Sequence, residues 1–197
     1  MNHDCRPNAA YFFDPDTLTH YVHAITTIHP GEEVTVTYID ALKPREERRS
    51  ILSSTWGFDC SCSLCTQHSS LTSESDTRIA QILGLSEDIE EDAAKASTEA
   101  AMALVALLQQ ERLHAWLSGA YTMAALAFSG VGEKWNTIRY ARVAIEVGML
   151  DNGFDDEDVV VMRELAKEPE KHWSWLQKVK RDQQLAKEKA TATAKVA

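Results

Sequence analysis

The chain has four cysteines, and three of them sit together as Cys60-Ser61-Cys62-Ser63-Leu64-Cys65. Thiolates at that spacing fill three corners of a tetrahedral zinc site and leave the fourth open. Cys5 is the remaining thiol, and it is the first choice for that corner, with His3 and His68 as alternatives. If Cys5 closes the site, a loop near residue 5 and a loop near residue 62 are pinned together. Cys5 lies in Asn2-His3-Asp4-Cys5-Arg6-Pro7-Asn8, which gathers two amides, an imidazole and a thiol in seven residues. Pro7 stiffens this stretch and biases Arg6 towards an extended conformation. The remaining histidines, His20, His23, His29, His114 and His172, show no ligand spacing.

The elements that must hold these groups are short strands followed by helices. Ala10–Phe13 is a brief apolar run closed by the turn chemistry of Asp14-Pro15-Asp16. Leu18–Thr27 is rich in β-branched and aromatic residues, and Glu32–Ile39 alternates as a strand after the turn at Pro30-Gly31. The period changes at Pro44, which opens a helix through Arg45–Arg49 that ends at Trp56-Gly57-Phe58. The Ser/Thr-rich stretch 69–76 reads as a linker. From there the pattern predicts helices near 75–84, 88–110, 112–129, 134–148, 156–167 and 169–190. Breaks are expected at Gly84, Gly130–Gly132, Asp151–Gly153 and Pro169, and the tail from Lys187 is expected to fray. The pair of helices over 112–148 has about the length of one tetratricopeptide repeat. Small residues at Ala120, Ala124, Ala125, Ala141 and Ala144 would let that pair approach closely.

A length of 197 residues suffices for a substantial core, and 44% hydrophobic with 25% charged residues is ordinary for a folded domain. The net charge of −10 argues against a nucleic-acid-wrapping surface and suits a basic peptide partner. No apolar run approaches the roughly 20 residues needed to cross a bilayer, so no membrane partner is expected. The first residues lack a secretory pattern, so the cysteines are read as metal ligands in a reducing compartment, nucleus or cytoplasm, of a protein that is not secreted.

Three motifs in order then carry a family resemblance. Asn2–Asn8, Gly31–Tyr38 and Cys60-x-Cys62-x-x-Cys65 resemble the second half of a SET domain with its post-SET segment. Tyr38-Ile39-Asp40, Glu46–Arg49 and Trp56-x-Phe58-x-Cys60 are similar to the SMYD-type branch, whose members carry a helical, TPR-like C-terminal domain. The resemblance implies an α+β chain: part of a SET β-unit over 1–42, a post-SET helix and zinc knot over 43–68, a linker over 69–76 and an all-α TPR-like domain over 77–197. It implies a protein-lysine methyltransferase that uses S-adenosylmethionine on a protein substrate, histones among the candidates. Asn2, His3 and Phe58 would contact the methyl donor, His3 largely through its backbone. Tyr38 would act at the methyl-transfer site, and Trp56 would line the lysine channel where relatives often have tyrosine. Cys5, Cys60, Cys62 and Cys65 would hold zinc.

A whole SET domain opens on a glycine-rich segment, and the single Gly-x-Gly here, Gly130-Val131-Gly132, falls between two helices. The chain is therefore expected to be an N-terminally truncated fragment carrying half of a donor pocket and inactive by itself. A second function is a non-catalytic, zinc-stabilised module that binds other proteins through its helices. Most of the helical core is expected to be independent of the metal, because no cysteine lies beyond Cys65.

Overall fold

The computed structural model describes residues 1–91 and 96–196. Its first strand, β1 (Asn2–His3), runs parallel to β4 (Thr35–Val36), with Asn2 opposite Thr35 and His3 opposite Val36. Between them β2 (Ala9–Asp14) and β3 (Thr19–Ala24) form an antiparallel hairpin, Ala9 facing Ala24 and Asp14 facing Thr19. The Asp14 carboxylate closes its turn, accepting from Asp16 N–H at 2.9 Å and from the Thr17 hydroxyl at 2.7 Å.

The strand expected over 32–39 shrinks to two residues, because β1 offers only two residues to pair with it. Beyond Val36 the chain turns away: the Thr37 hydroxyl donates to Ile39 O at 2.6 Å, and the Tyr38 amide bonds to a side chain instead of a neighbouring strand. The buried Asn8 holds β4 from the other side. Its Oδ1 accepts from Thr35 N–H at 2.9 Å and its Nδ2 donates to Glu33 O at 2.9 Å.

Helix α1 (Arg45–Ile51) follows Pro44 and widens into a π-helical turn over Leu52–Trp56, which ends at Gly57 with φ 74°. That positive φ lets the backbone reverse towards the cysteines. After α2 (Ser63–Thr66) comes α3 (Ser69–Glu91), so the stretch 69–76 is helix and not linker. Its serines and threonines are satisfied locally and across the fold. Ser70 N–H meets His68 Nδ1 at 3.3 Å, the Thr72 and Thr77 hydroxyls donate to carbonyls one turn back, and Asp76 Oδ1 caps α1 through Arg45 N–H at 2.9 Å. Gly84 is tolerated inside α3 and breaks nothing.

The rest is helical: α4 (Thr98–Gln110), α5 (Leu117–Val131), α6 (Lys134–Asp151), α7 (Glu157–Lys167) and α8 (Gln177–Val196). Of the helix expected over 88–110, residues 92–95 lie outside the described residues. The remainder is divided between the end of α3 and α4, where Ser97 accepts from Ala100 N–H at 3.0 Å as an N-cap. Gly132, at φ 81°, joins α5 to α6, and the five alanines of that pair are all buried. Phe128 stacks on Tyr140 at 5.3 Å beside them. The helix expected from Pro169 begins only at Gln177, after a short turn in which Trp173 is 63% exposed. The tail expected to fray is helical through Val196, as its alanines and lysines favour.

The strand region meets the helices at two places. Ala41, fully buried, packs in one cluster with Ile79, Leu104, Leu108 and Leu113, with Leu42 against its edge. Phe12 from the hairpin fills the space over Gly153, where an added Cβ would lie 2.9 Å from the ring. The cysteines and Leu52 form a cluster of their own, so these contacts tie the strand region, not the metal ligands, to the helices.

Candidate metal centre and adjoining cleft

The Sγ atoms of Cys5, Cys60, Cys62 and Cys65 all lie within 4.8 Å of one another, and Cys5 and Cys65 are 3.6 Å apart. A regular tetrahedron with metal–sulfur bonds of about 2.3 Å has sulfurs about 3.8 Å apart, so the four are gathered closely enough to hold zinc with small adjustments. None is in a disulfide, and Cys5, Cys60 and Cys65 are buried with Leu52. His68 belongs to the start of α3 and His3 stands beside the cluster, so Cys5 takes the corner that sequence spacing left open.

Four thiols this close cannot all ionise without a cation. Hydrogen bonds from Cys5 and Cys65 hold the Cys62 thiol far below its ordinary value. The bond to Cys62 drives Cys5 far above its own, and burial pushes Cys60 up to about 12. A divalent metal supplies the charge that lets such a cluster ionise together.

Next to the cysteines opens a cleft of about 560 Å³ lined by Asn2, His3, Tyr38, Trp56 and Phe58 together with Glu33, Asp4 and Asp59. All five residues that sequence singled out beside the cysteines thus share one cavity with Cys60 and Cys62. Each has a local reason to be there. The β1–β4 ladder sets Asn2 and His3, and Asp4 N–H extends it to Val36 O at 3.0 Å. The wide turn after α1 sets Trp56, whose ring lies 4.7 Å from that of Tyr38. Phe58 meets Tyr38 edge-on at 6.4 Å. The Tyr38 hydroxyl donates to Met1 O at 2.5 Å. With its proton committed there, the phenol oxygen faces any further partner as an acceptor.

Two features escaped sequence reasoning. Glu33 orients Asn2, accepting from Nδ2 at 2.6 Å; its place in an alternating strand gave no sign of a partner 31 residues away. Arg6, 8% exposed, carries the other. It donates to Cys5 O at 2.8 Å and to Glu111 Oε2 at 2.8 Å, and its Nε reaches Glu111 O. Glu111 also accepts from Ser75 at 2.7 Å and from Arg78 at 2.5 Å. Burial alone would raise its pKa, but these three donors outweigh burial and hold it below the usual range.

Comparison with known proteins agrees with this geometry. Residues 1–39 match the family model of the SET domain. The histone-lysine N-methyltransferase set5 of Schizosaccharomyces pombe is 46% identical over 66 residues, which cover 34% of this chain and 21% of that protein. A SET and MYND domain-containing protein of Dictyostelium discoideum is 43% identical over 65 residues, 33% of this chain and 19% of the relative. The mouse protein-lysine N-trimethyltransferase SMYD5 is 34% identical over 95 residues, 45% of this chain and 23% of the relative. The chain spans about a fifth of the length of these relatives. Over its opening third it resembles SET-domain protein-lysine methyltransferases of the SMYD type, and the helical remainder is consistent with that architecture.

Proposed function

We propose that this chain contributes to S-adenosylmethionine-dependent methyl transfer onto a protein lysine, with zinc held by Cys5, Cys60, Cys62 and Cys65. The observation that carries the reading is the shared cleft: Asn2, His3, Tyr38, Trp56 and Phe58 line one cavity against the cysteines, within and just beyond the segment that matches the SET domain. The donor, when bound, supplies an electrophilic sulfonium methyl. Asn2 and Phe58 offer an amide and an aromatic face to hold it from one side. Tyr38 presents a fixed phenol oxygen, able to accept from the lysine amine and orient its lone pair. Trp56, packed on Tyr38, gives the channel an apolar and π-rich wall suited to a cationic or methylated amine. Glu33, Asp4 and Asp59 at the same cleft favour a basic peptide, and histone tails are the substrates this charge suits best. The helical part offers further surface to protein partners, and the four thiols suit the reducing nucleus or cytoplasm.

The test joins this chain behind the upstream half of a SET domain and measures methyl transfer to a lysine peptide. Transfer is expected, and Tyr38→Phe should lower its rate by about a hundredfold or more, the usual cost of removing one oriented polar group at a reacting centre. The ring is kept, so packing on Trp56 should survive. Full activity in the Phe variant would remove Tyr38 from the mechanism, and no transfer by the joined protein would refute the function.

A further inference from the structure

His3 is read above as a backbone contact to the methyl donor, which leaves its ring unassigned. That ring lies between the two halves of the site. Nδ1 accepts from the Tyr38 backbone N–H at 3.1 Å, and Nε2 lies 3.4 Å from Cys5 Sγ. An imidazole nitrogen that accepts from an amide carries no proton, so in the neutral ring the proton is on Nε2 and points to the sulfur. The ring is also held from the sides, tilted against Tyr38 at 5.5 Å and Phe58 at 6.2 Å.

Both ends of this arrangement meet a need. The Tyr38 amide falls two residues past Val36, where the β1–β4 ladder has ended, so it has no strand partner. A half-buried amide left without an acceptor costs free energy, and Nδ1 supplies one. Cys5 Sγ, as a metal-bound thiolate, carries negative charge in a fully buried position, and an N–H donor there withdraws density and fixes its direction.

We infer that His3 is a positioning residue that joins the zinc site to the methyl-transfer tyrosine: one imidazole hydrogen-bonds a zinc thiolate with Nε2 and holds the Tyr38 backbone with Nδ1. The inference rests on the zinc and Tyr38 roles proposed above. Its consequence is that metal occupancy sets the position of Tyr38. When the metal leaves, Cys5 Sγ no longer has a fixed place, the ring loses one anchor, and the tyrosine amide loses its fixed acceptor.

The two ends can be separated with amides. Asn at position 3 puts an acceptor near Nδ1 and has nothing that reaches the sulfur. Gln puts a donor near Nε2 and withdraws the acceptor from Tyr38. The full chain would be loaded with cobalt(II) as a zinc surrogate, and the sulfur-to-metal charge-transfer bands and the affinity against a competing chelator recorded. Exchange of the Tyr38 amide would be followed by NMR. His3→Asn should shift the charge-transfer band and weaken metal binding about tenfold, the lower end for loss of such a partner, with Tyr38 exchange unchanged. His3→Gln should leave band and affinity close to wild type and speed Tyr38 exchange about tenfold, in keeping with a lost hydrogen bond. His3→Leu should do both. If Asn, Gln and Leu behave alike, the ring only fills space and the inference fails. It fails too if Asn leaves the metal bands and affinity unmoved. None of these readouts needs methyl transfer, so an inactive enzyme would refute the function and leave the relay standing. A wild-type chain that takes up no cobalt or zinc would remove the metal centre and the relay together.

Discussion

Glu111→Ala should destabilise both parts of the protein together. The carboxylate takes donors from Arg6, Ser75 and Arg78, and the Arg6 and Glu111 side chains are only 5% and 3% exposed. Removing it strands a buried guanidinium, a change that typically costs about 3–5 kcal/mol. Arg6 keeps two backbone acceptors, Cys5 O and the carbonyl of residue 111, which favours the lower end. Arg78 is 24% exposed and can regain water, so its lost pair adds under about 1 kcal/mol. The expected loss is about 3 kcal/mol, or a fall of roughly 6–12 °C in Tm for a domain of this size. Chemical denaturation followed by far-UV circular dichroism measures it. Replacing both partners with apolar residues, Arg6→Met with Glu111→Leu, should recover most of the loss, because no charge is then left unpaired. Since the Glu111 carboxyl titrates below its unfolded value, the clamp contributes above that value and is lost as pH falls through the folded one. The gap between wild type and Glu111→Ala should therefore close in acid. A cost under about 1 kcal/mol at neutral pH, or a gap that widens in acid, would refute the argument.

Two further outcomes follow from the same core. Asp151 is 7% exposed, neither carboxylate oxygen meets a partner at bonding geometry, and burial raises its pKa to about 7, with the nearby Ser118 hydroxyl offsetting only part. The native state then holds a proton that the unfolded chain has released, so stability is full below about pH 4 and falls as pH rises towards 7. Asp151→Asn should gain about 2–3 kcal/mol above about pH 8 and nothing in acid, a difference that urea unfolding at the two pH values would read; a gain independent of pH would refute it. Chelation should release one metal per chain, loosen α1 and α3, and leave the α5–α7 core around Ala125, Ala141 and Met162 folded. Helical signal that is wholly kept, or wholly lost, would show that the shared core is drawn wrongly.

The sequence made some of this legible because local chemistry decides it. Gly57 and Gly132 mark helix ends where a positive φ is needed, and the alanines of α5 and α6 announce a close helix pair. Residues 69–76 misled because Ser and Thr in isolation favour loops. Here His68 caps the helix, hydroxyls bond one turn back, and Asp76 and Ser75 find partners on α1 and at Glu111. Tertiary partners, invisible to a propensity, turned a linker into two helical turns. The strand at 32–39 failed for the opposite reason: its pattern is strand-like throughout, but the neighbour that would extend it is only two residues long.

At the site, residue types were readable and their couplings were not. Cysteine spacing implied a metal, and a metal requires its ligands to converge, so Cys5 was the first choice, ahead of His3 and His68, without any knowledge of the path between residues 5 and 60. A salt bridge makes no such demand. Arg6 and Glu111 lie 105 residues apart, and nothing in either neighbourhood distinguishes them from solvated charges. Yet Arg6 directly follows Cys5 and bonds its carbonyl, so a metal on Cys5 would hold the same short loop that the helical core holds at the next residue. The His3 ring adds a third tie, to the amide of Tyr38. A loop tied at residues 3, 5 and 6 has little freedom left, and the proposed methyl transfer needs that, since it depends on holding a phenol oxygen and a reacting amine to a fraction of an ångström. On the proposed roles, the metal centre belongs to the positioning apparatus of Tyr38 and is more than a separate structural staple.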